Sequence, residues 1–500
     1  MAGIVSFLAK PFGKYISDQT KKMAANALKD QEKWFYQLIR SAKHTKFGLD
    51  HHFTKIHTIA DFQNLVPIRD YEEFKYYIQD IKEGKKDIIW PGKPLYFAKT
   101  SGTTSGVKYI PISKESMPYH FSSARNAVFN FAALNNDFSY LDGKLIFLSG
   151  SPETSEVGGV PTGRLSGLVN LHIPALFKRS QLPSFQTNCI EDWDTKVEKI
   201  IDECIGQDLR MISGIPPWVQ MFAEKILART GKKNIKDVFP NLNMLVSGGV
   251  NFAPYKAHYD RLFGEKMPRV DTYPASEGFI GFQYLPGCSE LILNTNAGIF
   301  FEFVSLEELK KEHPKRLSLA EVKTGETYAI LLSTNAGMWC YNIGDTVEFI
   351  SLAPYLFVIN GRVSQYISAF GEHVIEKEIE TALLDTCAKH HATVTEYTVA
   401  PEVNPEDNGK PYHEWFVEFS TAPEDHSSFA TDLDSAMTEQ NIYYKDLIVG
   451  HILRPLKLHF LQTDAFRNFM RDIGKLGGQN KVPHLRNDRK IAEGLVKYID

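Results

Sequence analysis

The chain has 500 residues, 43% of them hydrophobic and 23% charged, and a formal net charge of −4. That length exceeds what one core supports, so two or more domains are expected, and the near-neutral balance offers no bulk attraction for nucleic acid or an acidic membrane. The five cysteines (Cys189, Cys204, Cys288, Cys340, Cys387) are widely spaced with no Cys-x-x-Cys pair, which argues against a disulfide framework or structural zinc and fits reduced thiols in a cytoplasm.

The apolar run Ile4 to Ala9 is cut by Ser6 and followed by Lys10, too short for a signal-peptide core. No segment approaches the roughly 20 apolar residues that span a bilayer. The expectation is a cytoplasmic monomer without integral membrane association, whose N-terminal helix could still rest on another surface. Helical spacing over 14 to 45 (Tyr15, Met23, Ala27, Trp34, Phe35, Leu38, Ile39) predicts opening helices, with Trp34 and Phe35 in the core. Asp70 starts a further helix that should end near Gly84.

Next comes Leu95-Tyr96-Phe97-Ala98, then Thr100-Ser101-Gly102-Thr103-Thr104-Ser105-Gly106-Val107-Lys108, then Tyr109-Ile110-Pro111-Ile112. This reads as a tight loop joining two strands. Glycines let several backbone N–H groups turn into one concavity, hydroxyls add donors, and Lys108 adds charge, as a polyphosphate requires. The glycine spacing is not that of a Walker loop. Alone, the stretch reads more readily as a solvated surface loop, so its company decides.

From 140 to 350 short apolar runs (Leu145 to Leu148, Met244 to Val246, Val270 to Tyr273, Tyr328 to Leu332) alternate with helical stretches (Trp193 to Ile205, Pro217 to Arg229), which predicts α/β layering. Within it, Val246-Ser247-Gly248-Gly249 exposes backbone against which a flat ring could lie. Thr272-Tyr273-Pro274-Ala275-Ser276-Glu277 offers an aromatic face, a hydroxyl, and a carboxylate of the kind that meets Mg²⁺ together with phosphates. Tyr341-Asn342-Ile343-Gly344-Asp345 reads as a turn whose Asp345 could accept from both hydroxyls of a ribose, or as an ordinary Gly-Asp turn. A boundary is expected near 360, where the strand Tyr355 to Ile359 meets Asn360-Gly361-Arg362, and a helix should begin in Val374 to Glu380. Strands at Tyr397 to Ala400 and Trp415 to Phe419 and helices at 427 to 439 and 445 to 453 predict a small α+β domain. Lys481 follows a glycine pair in Gly477-Gly478-Gln479-Asn480-Lys481-Val482-Pro483. The pairs His51-His52 and His390-His391 lack metal-site spacing and read as solvated, and no Gly-x-Ser-x-Gly elbow of a serine hydrolase occurs.

Taken in this order, these segments resemble the adenylate-forming superfamily of acyl-CoA synthetases, luciferase and peptide-synthetase adenylation domains. Thr45-Lys46-Phe47-Gly48, Val66-Pro67-Ile68-Arg69-Asp70-Tyr71-Glu72, the Ser-Gly-Thr-Thr-Ser-Gly-Val-Lys core, Ser276-Glu277 with Phe279 and Gly281, the Tyr355 to Val358 strand and Asn480-Lys481-Val482-Pro483 resemble more narrowly the plant auxin- and jasmonate-conjugating acyl-acid amido synthetases and their bacterial relatives. Pro274 stands where plant members have Ala, Gln365 where the wider superfamily has a hinge Asp or Lys, and the chain is shorter than plant members.

The resemblance implies ATP and Mg²⁺ as cofactors and an N-terminal adenylation domain, 1–361, of β-sheets flanked by helices. It also implies a small mobile C-terminal domain, 362–500, carrying a catalytic lysine. Thr100 to Gly106 and Lys108 would hold the β- and γ-phosphates and Glu277 the metal. Gly248, Gly249, Thr272, Tyr273 and Ser276 would frame adenine, and Asp345 and Arg362 would grip the ribose. Lys481 would approach the α-phosphate, with Lys481, Glu277 and Lys108 as the catalytic set. The partners implied are a carboxylic acid and an amino acid, with coenzyme A as alternative acceptor; a nucleotide-binding protein without catalysis is the reading from another class. The acid's pocket is expected near 119 to 131 and Gly214-Ile215-Pro216-Pro217-Trp218, where Arg125 or Arg164 could meet a carboxylate.

Overall fold

The computed structural model describes residues 3–500 apart from 101–106, 174–177, 191, 250–251, 253–254, 363–365, 373, 408 and 474–481. The chain divides into two compact units. The larger comprises Met1–Thr100, Lys108–Gly249 and His258–Val363, and the smaller is built chiefly of Ser364–Asp500.

The larger unit opens with helices Ile4–Ala25 and Ala27–Ala42, the first starting well before the predicted 14. The second buries Gln31, Trp34, Phe35, Leu38 and Ile39 on one stripe. Gln31 stitches this stripe to the adjoining sheet: its amide N–H donates to the carbonyls of Thr295 (3.0 Å) and Ile299 (2.9 Å), and its oxygen accepts from the Phe301 N–H (2.8 Å). Buried polar groups cost least when every donor and acceptor is used in this way. Asp70 caps helix Tyr71–Lys82, accepting from the Glu73 N–H while the Glu73 carboxylate accepts from the Asp70 N–H. That helix buries Tyr71, Phe74, Tyr77, Ile78 and Ile81 around a cluster containing Phe47, Phe53 and the fully buried Trp339.

A twelve-stranded sheet runs through the unit in the order Leu317–Ser318, Ile299–Ser305, Thr327–Thr334, Tyr341–Leu352, Tyr355–Arg362, Leu291–Leu293, Phe279–Gln283, Arg269–Pro274, Met244–Gly248, Leu209–Ser213, Lys144–Phe147, Gln181–Leu182. From Arg269–Pro274 to the Gln181 edge its pairings are parallel. The helices Trp193–Cys204 and Pro216–Thr230 fall between those strands in sequence, as crossover connections require. The rest is antiparallel. A second, four-stranded sheet pairs Tyr96–Thr100 with Lys108–Ile112 and, on its other side, with Val160–Gly163.

The smaller unit holds the antiparallel pair Thr393–Glu402 and Tyr412–Thr421 with Lys457–Leu461 parallel to the latter, and helices Glu376–Lys389, His426–Gln440 and Ile442–Val449. Val374–Ile375, expected to begin a helix, instead pairs with Tyr366–Ile367, and the helix starts at Glu376. The β-branched pair suits a strand, and the acidic Glu376 and Glu378 suit a helix N-terminus.

All five cysteines are unpaired. Among the described residues no helix is long and apolar enough to cross a membrane. In each histidine pair the second member, His52 and His391, is exposed as expected, but the first is not solvated. His51 is buried, stacked on Phe47, with one ring nitrogen at the Phe47 carbonyl (2.9 Å) and the other at Arg69 (2.8 Å). His390 pairs with Asp432 (2.6 Å).

Candidate functional site

Gly248, Thr272, Tyr273, Ser276 and Glu277, expected at the site, lie at or just beyond the ends of two neighbouring strands of the long sheet. Gly248 lies in register with Thr272, and a Cβ on Gly248 would sit 2.5 Å from the Thr272 carbonyl oxygen. Only glycine permits that approach, which Thr272 tightens by donating its hydroxyl to the Ser247 carbonyl (3.0 Å). Strand Arg269–Pro274 then turns back into Phe279–Gln283, closed by Ala275 N–H to Gly278 O (2.9 Å) and Gly278 N–H to Ala275 O (3.2 Å). Ser276 and Glu277 are the two central residues of this hairpin. Glu277 is 8% exposed.

Tyr273 is buried and donates its hydroxyl to the Asp345 carboxylate. Asp345 is not in a turn, as the sequence suggested. Tyr341–Leu352 is one strand, and its register slips so that Ile343, Gly344 and Asp345 lie against the single residue Ile330. Gly344 has φ 88°, a backbone region open to glycine that lets the strand bulge and carry on. The bulge re-aims Asp345 toward Tyr273. Gly361 and Arg362, expected just past the end of a strand, complete the strand Tyr355–Arg362, and Arg362 stands opposite Asp345. One hydrogen bond therefore joins Tyr273 to Asp345, and one register pair sets the Arg362 backbone opposite Asp345.

Thr100 and Lys108 belong to the other sheet and face each other across the mouth of the predicted phosphate loop. Ser101, Gly102, Thr103, Thr104, Ser105 and Gly106 lie outside the described residues. Lys108 Nζ sits 5.6 Å from the centre of the Tyr71 ring, and the Tyr71 hydroxyl accepts from the Tyr109 N–H (2.8 Å). Burial pushes the Tyr71 phenol up to about 12, so it stays a neutral acceptor beside the loop. Lys481 also lies outside the described residues.

Two features escaped the sequence reading. Asp271, beside Thr272, accepts from Ser247 Oγ (2.5 Å) and Arg269 (2.6 Å); Ser247 is distant from it in sequence, so no spacing announced that contact. An apolar pocket lined by Leu148, Trp218, Met221 and Phe222 also takes in Lys196, whose ammonium donates to the Asn188 carbonyl (2.7 Å). Burial pulls that lysine down to about 8. Arg125 is engaged by Asn126 Oδ1 (2.9 and 3.2 Å) and lies over Phe12.

The sequence matches the GH3 family N-terminal domain over residues 16–188, its central domain over 292–362 and its C-terminal domain over 377–490. The chain belongs to the GH3 family. Among GH3 relatives, an indole-3-acetic acid-amido synthetase of Arabidopsis thaliana is 24% identical over 517 residues, covering 87% of this chain and 85% of that protein. A jasmonoyl–L-amino acid synthetase of Nicotiana attenuata is 24% identical over 358 residues, 57% of this chain, and the match spans only 60% of that relative's length. A solved GH3 acyl acid amido synthetase in complex with 2,4-DB superimposes with a TM-score of 0.63 at 16% identity, covering 98% of this chain and 96% of the other. The GH3 membership and the α/β architecture with a smaller second unit agree with the expectations from the sequence.

Proposed function

We propose that this protein is an ATP-dependent acyl-acid amido synthetase: it adenylates a carboxylic acid and passes the acyl group to an amino-acid amine, releasing AMP and pyrophosphate. The observation that carries the reading is GH3 membership, with curated amido synthetases aligned along most of the chain.

A carboxylate is a poor acyl donor because its leaving group would be oxide. In the first step a carboxylate oxygen bonds to the α-phosphorus of ATP and the bond to the β-phosphate oxygen breaks, freeing pyrophosphate. In the second, the amine nitrogen attacks the acyl carbon, AMP departs with the C–O electron pair, and the amine loses a proton to solvent. Neither step needs covalent help from the protein, so catalysis is positioning and stabilisation of phosphoryl charge.

Residues 1–361 would hold the nucleotide and acid, and 362–500 would carry Lys481. The buried Tyr273 ring beside the close-packed Gly248 and Thr272 would frame adenine with Gly249 and Ser276. Asp345, fixed by the Tyr273 hydroxyl, and Arg362 would take the ribose. Thr100 to Gly106 and Lys108 would receive the β- and γ-phosphates. Among the described residues no three His, Cys, Asp or Glu side chains gather as a metal cage, and Glu277 offers one carboxylate. That donor set fits Mg²⁺ in its usual mode, one protein carboxylate with substrate phosphates completing the shell. Bound there, the metal would neutralise phosphate charge.

Asp345→Asn should raise KM for ATP about tenfold, since hydrogen bonds to a charged acceptor contribute about 1.5–3 kcal/mol. Steady-state kinetics with ATP varied would read it, and an unaltered KM would remove Asp345 from the nucleotide site. The function itself is tested by screening aromatic and aliphatic acids for pyrophosphate release, then repeating with each amino acid and with coenzyme A. AMP with an amide product supports the reading. A thioester replaces the acceptor, and tight ATP binding with no pyrophosphate from any acid defeats it.

A further inference from the structure

The first helix, Ile4–Ala25, is amphipathic in the wrong sense for a helix that only packs on its own protein. The face turned inward carries Gly13, Ile16, Ser17 and Thr20, mostly small or polar. A Cβ on Gly13 would fall 2.1 Å from the Phe138 ring, and Thr20 spends its hydroxyl on the Ile16 carbonyl (3.0 Å). The opposite face carries Ile4, Phe7, Leu8, Pro11, Phe12 and Tyr15, the i, i+3, i+4, i+7, i+8, i+11 spacing of a continuous apolar stripe. Most of that stripe faces out: Phe7 and Leu8 are 69% exposed and Ile4 and Tyr15 55%, while Phe12 also packs edge-on against Phe129 (5.1 Å between ring centres). Isolated exposed apolar residues are ordinary, but a contiguous run over three turns marks a surface that something covers.

The charges beside the stripe say what. Lys10, Lys14 and Lys21 are exposed and align at i, i+4 and i+11 along one edge, with Lys22 nearby and Asp18 as the helix's one acid. Arg125 holds its guanidinium 5.3 Å from the centre of the Phe12 ring, adding a cation at the far end. This basic strip stands out against a chain of net charge −4. A second copy packed antiparallel on the same face, about a two-fold axis across the helix, would bring lysine edge against lysine edge. Ser6 N–H donates to Asp142 (3.0 Å), so the tip of the helix is pinned with its stripe presented.

We infer that the outer face of helix Ile4–Ala25 docks the protein on an anionic lipid membrane, Phe7 and Leu8 entering the headgroup boundary while Lys10, Lys14 and Lys21 meet lipid phosphates and carboxylates. The stripe, about 17 Å long at 1.5 Å per residue, suits a helix lying in the interface and is too short to cross a bilayer. The apolar contribution of so few side chains is modest, so binding depends on anionic lipid and weakens with salt. The inference stands whatever acid the enzyme takes.

Co-sedimentation of the full chain with vesicles tests it. The wild type partitions onto phosphatidylcholine vesicles containing phosphatidylserine, and about tenfold more weakly onto phosphatidylcholine alone. The double variant Phe7→Glu, Leu8→Glu loses the partition while keeping its Tm, because both side chains are already in water. Lys10→Glu with Lys14→Glu lowers it about tenfold or more. Wild type remaining in the supernatant with both vesicle types overturns the inference, as does undiminished binding by the Phe7, Leu8 variant. A concentration-dependent dimer that Phe7→Glu dissolves, without vesicle binding, assigns the face to a second copy instead.

Discussion

Replacing Lys481 with alanine is expected to lower ATP–pyrophosphate exchange by about two to three orders of magnitude, the effect of removing one positioned donor from a charge that develops in the transition state. The first half-reaction puts negative charge on the α-phosphoryl oxygens, and a lysine ammonium meets it as a point charge. Lys481 itself lies outside the described residues, but the chain just beyond it is firmly tied to its own unit. The Thr398 hydroxyl donates to the Pro483 carbonyl (2.7 Å), the Val399 N–H to the His484 carbonyl (2.8 Å), and the Arg486 N–H to the Val399 carbonyl (3.2 Å). The His484 ring stacks on Tyr397 and spans Glu396 (2.8 Å) and Glu376 (2.6 Å), and the Glu396 hydrogen bond in particular raises its pKa. A raised histidine stabilises the fold below its ordinary value and loses that contribution as pH rises through the raised one, so this anchor is firmest in mild acid. Because the anchor does not include Lys481, the alanine variant should keep the wild-type Tm. Exchange at the wild-type rate would remove Lys481 from the mechanism, and a collapsed Tm would show that it serves folding.

What could be read from the sequence follows the range of the interactions involved. The Asp70 cap, the Trp34 and Phe35 stripe and the strands at 244, 270 and 328 are written within one turn or one strand, where periodicity and capping act. The Gly344–Asp345 bulge looks like a turn in the sequence because a bulge exists only relative to a partner strand, and Ile330 is distant from it in sequence. Asp271 likewise takes its place through Ser247, and Lys196 through a pocket whose Leu148 and Trp218 are far from it in sequence. His51 was misjudged because its burial depends on Phe47 and Arg69 folding over it. The N-terminal stripe was visible as a run of apolar residues, yet only the burial of the opposite face shows which way it points.

Arg316→Ala should cost about 3–5 kcal/mol at about pH 8, a loss that shrinks toward about pH 5. Arg316 and Glu302 form a buried ion pair (Nε to Oε1, 3.2 Å) near one edge of the long sheet, both side chains almost wholly shielded. The guanidinium also donates to the Val66 carbonyl (2.5 Å) and lies 2.8 Å from Cys340 Sγ, and Gln63 donates to Glu302 (3.0 Å). It thus joins the segment before the Asp70 helix to the residue that leads into the Tyr341–Leu352 strand carrying Asp345. Burial pushes the Glu302 carboxyl above its ordinary value, and Arg316 pulls it back. Removing the guanidinium takes away the largest opposing influence and leaves burial opposed only by the Gln63 and Cys340 hydrogen bonds. The variant must then either bury an unpaired carboxylate or bind a proton, and the second becomes easier as pH falls. Urea midpoints at the two pH values would therefore lie closer to wild type in acid. Replacing both partners, Glu302→Gln with Arg316→Met, should recover much of the loss, because a neutral pair of similar volume carries no desolvated charge. Equal losses at both pH values would mean that the cost comes from the Phe62 ring, 5.5 Å from the guanidinium, and from the Val66 hydrogen bond, with the charge on Glu302 playing no part.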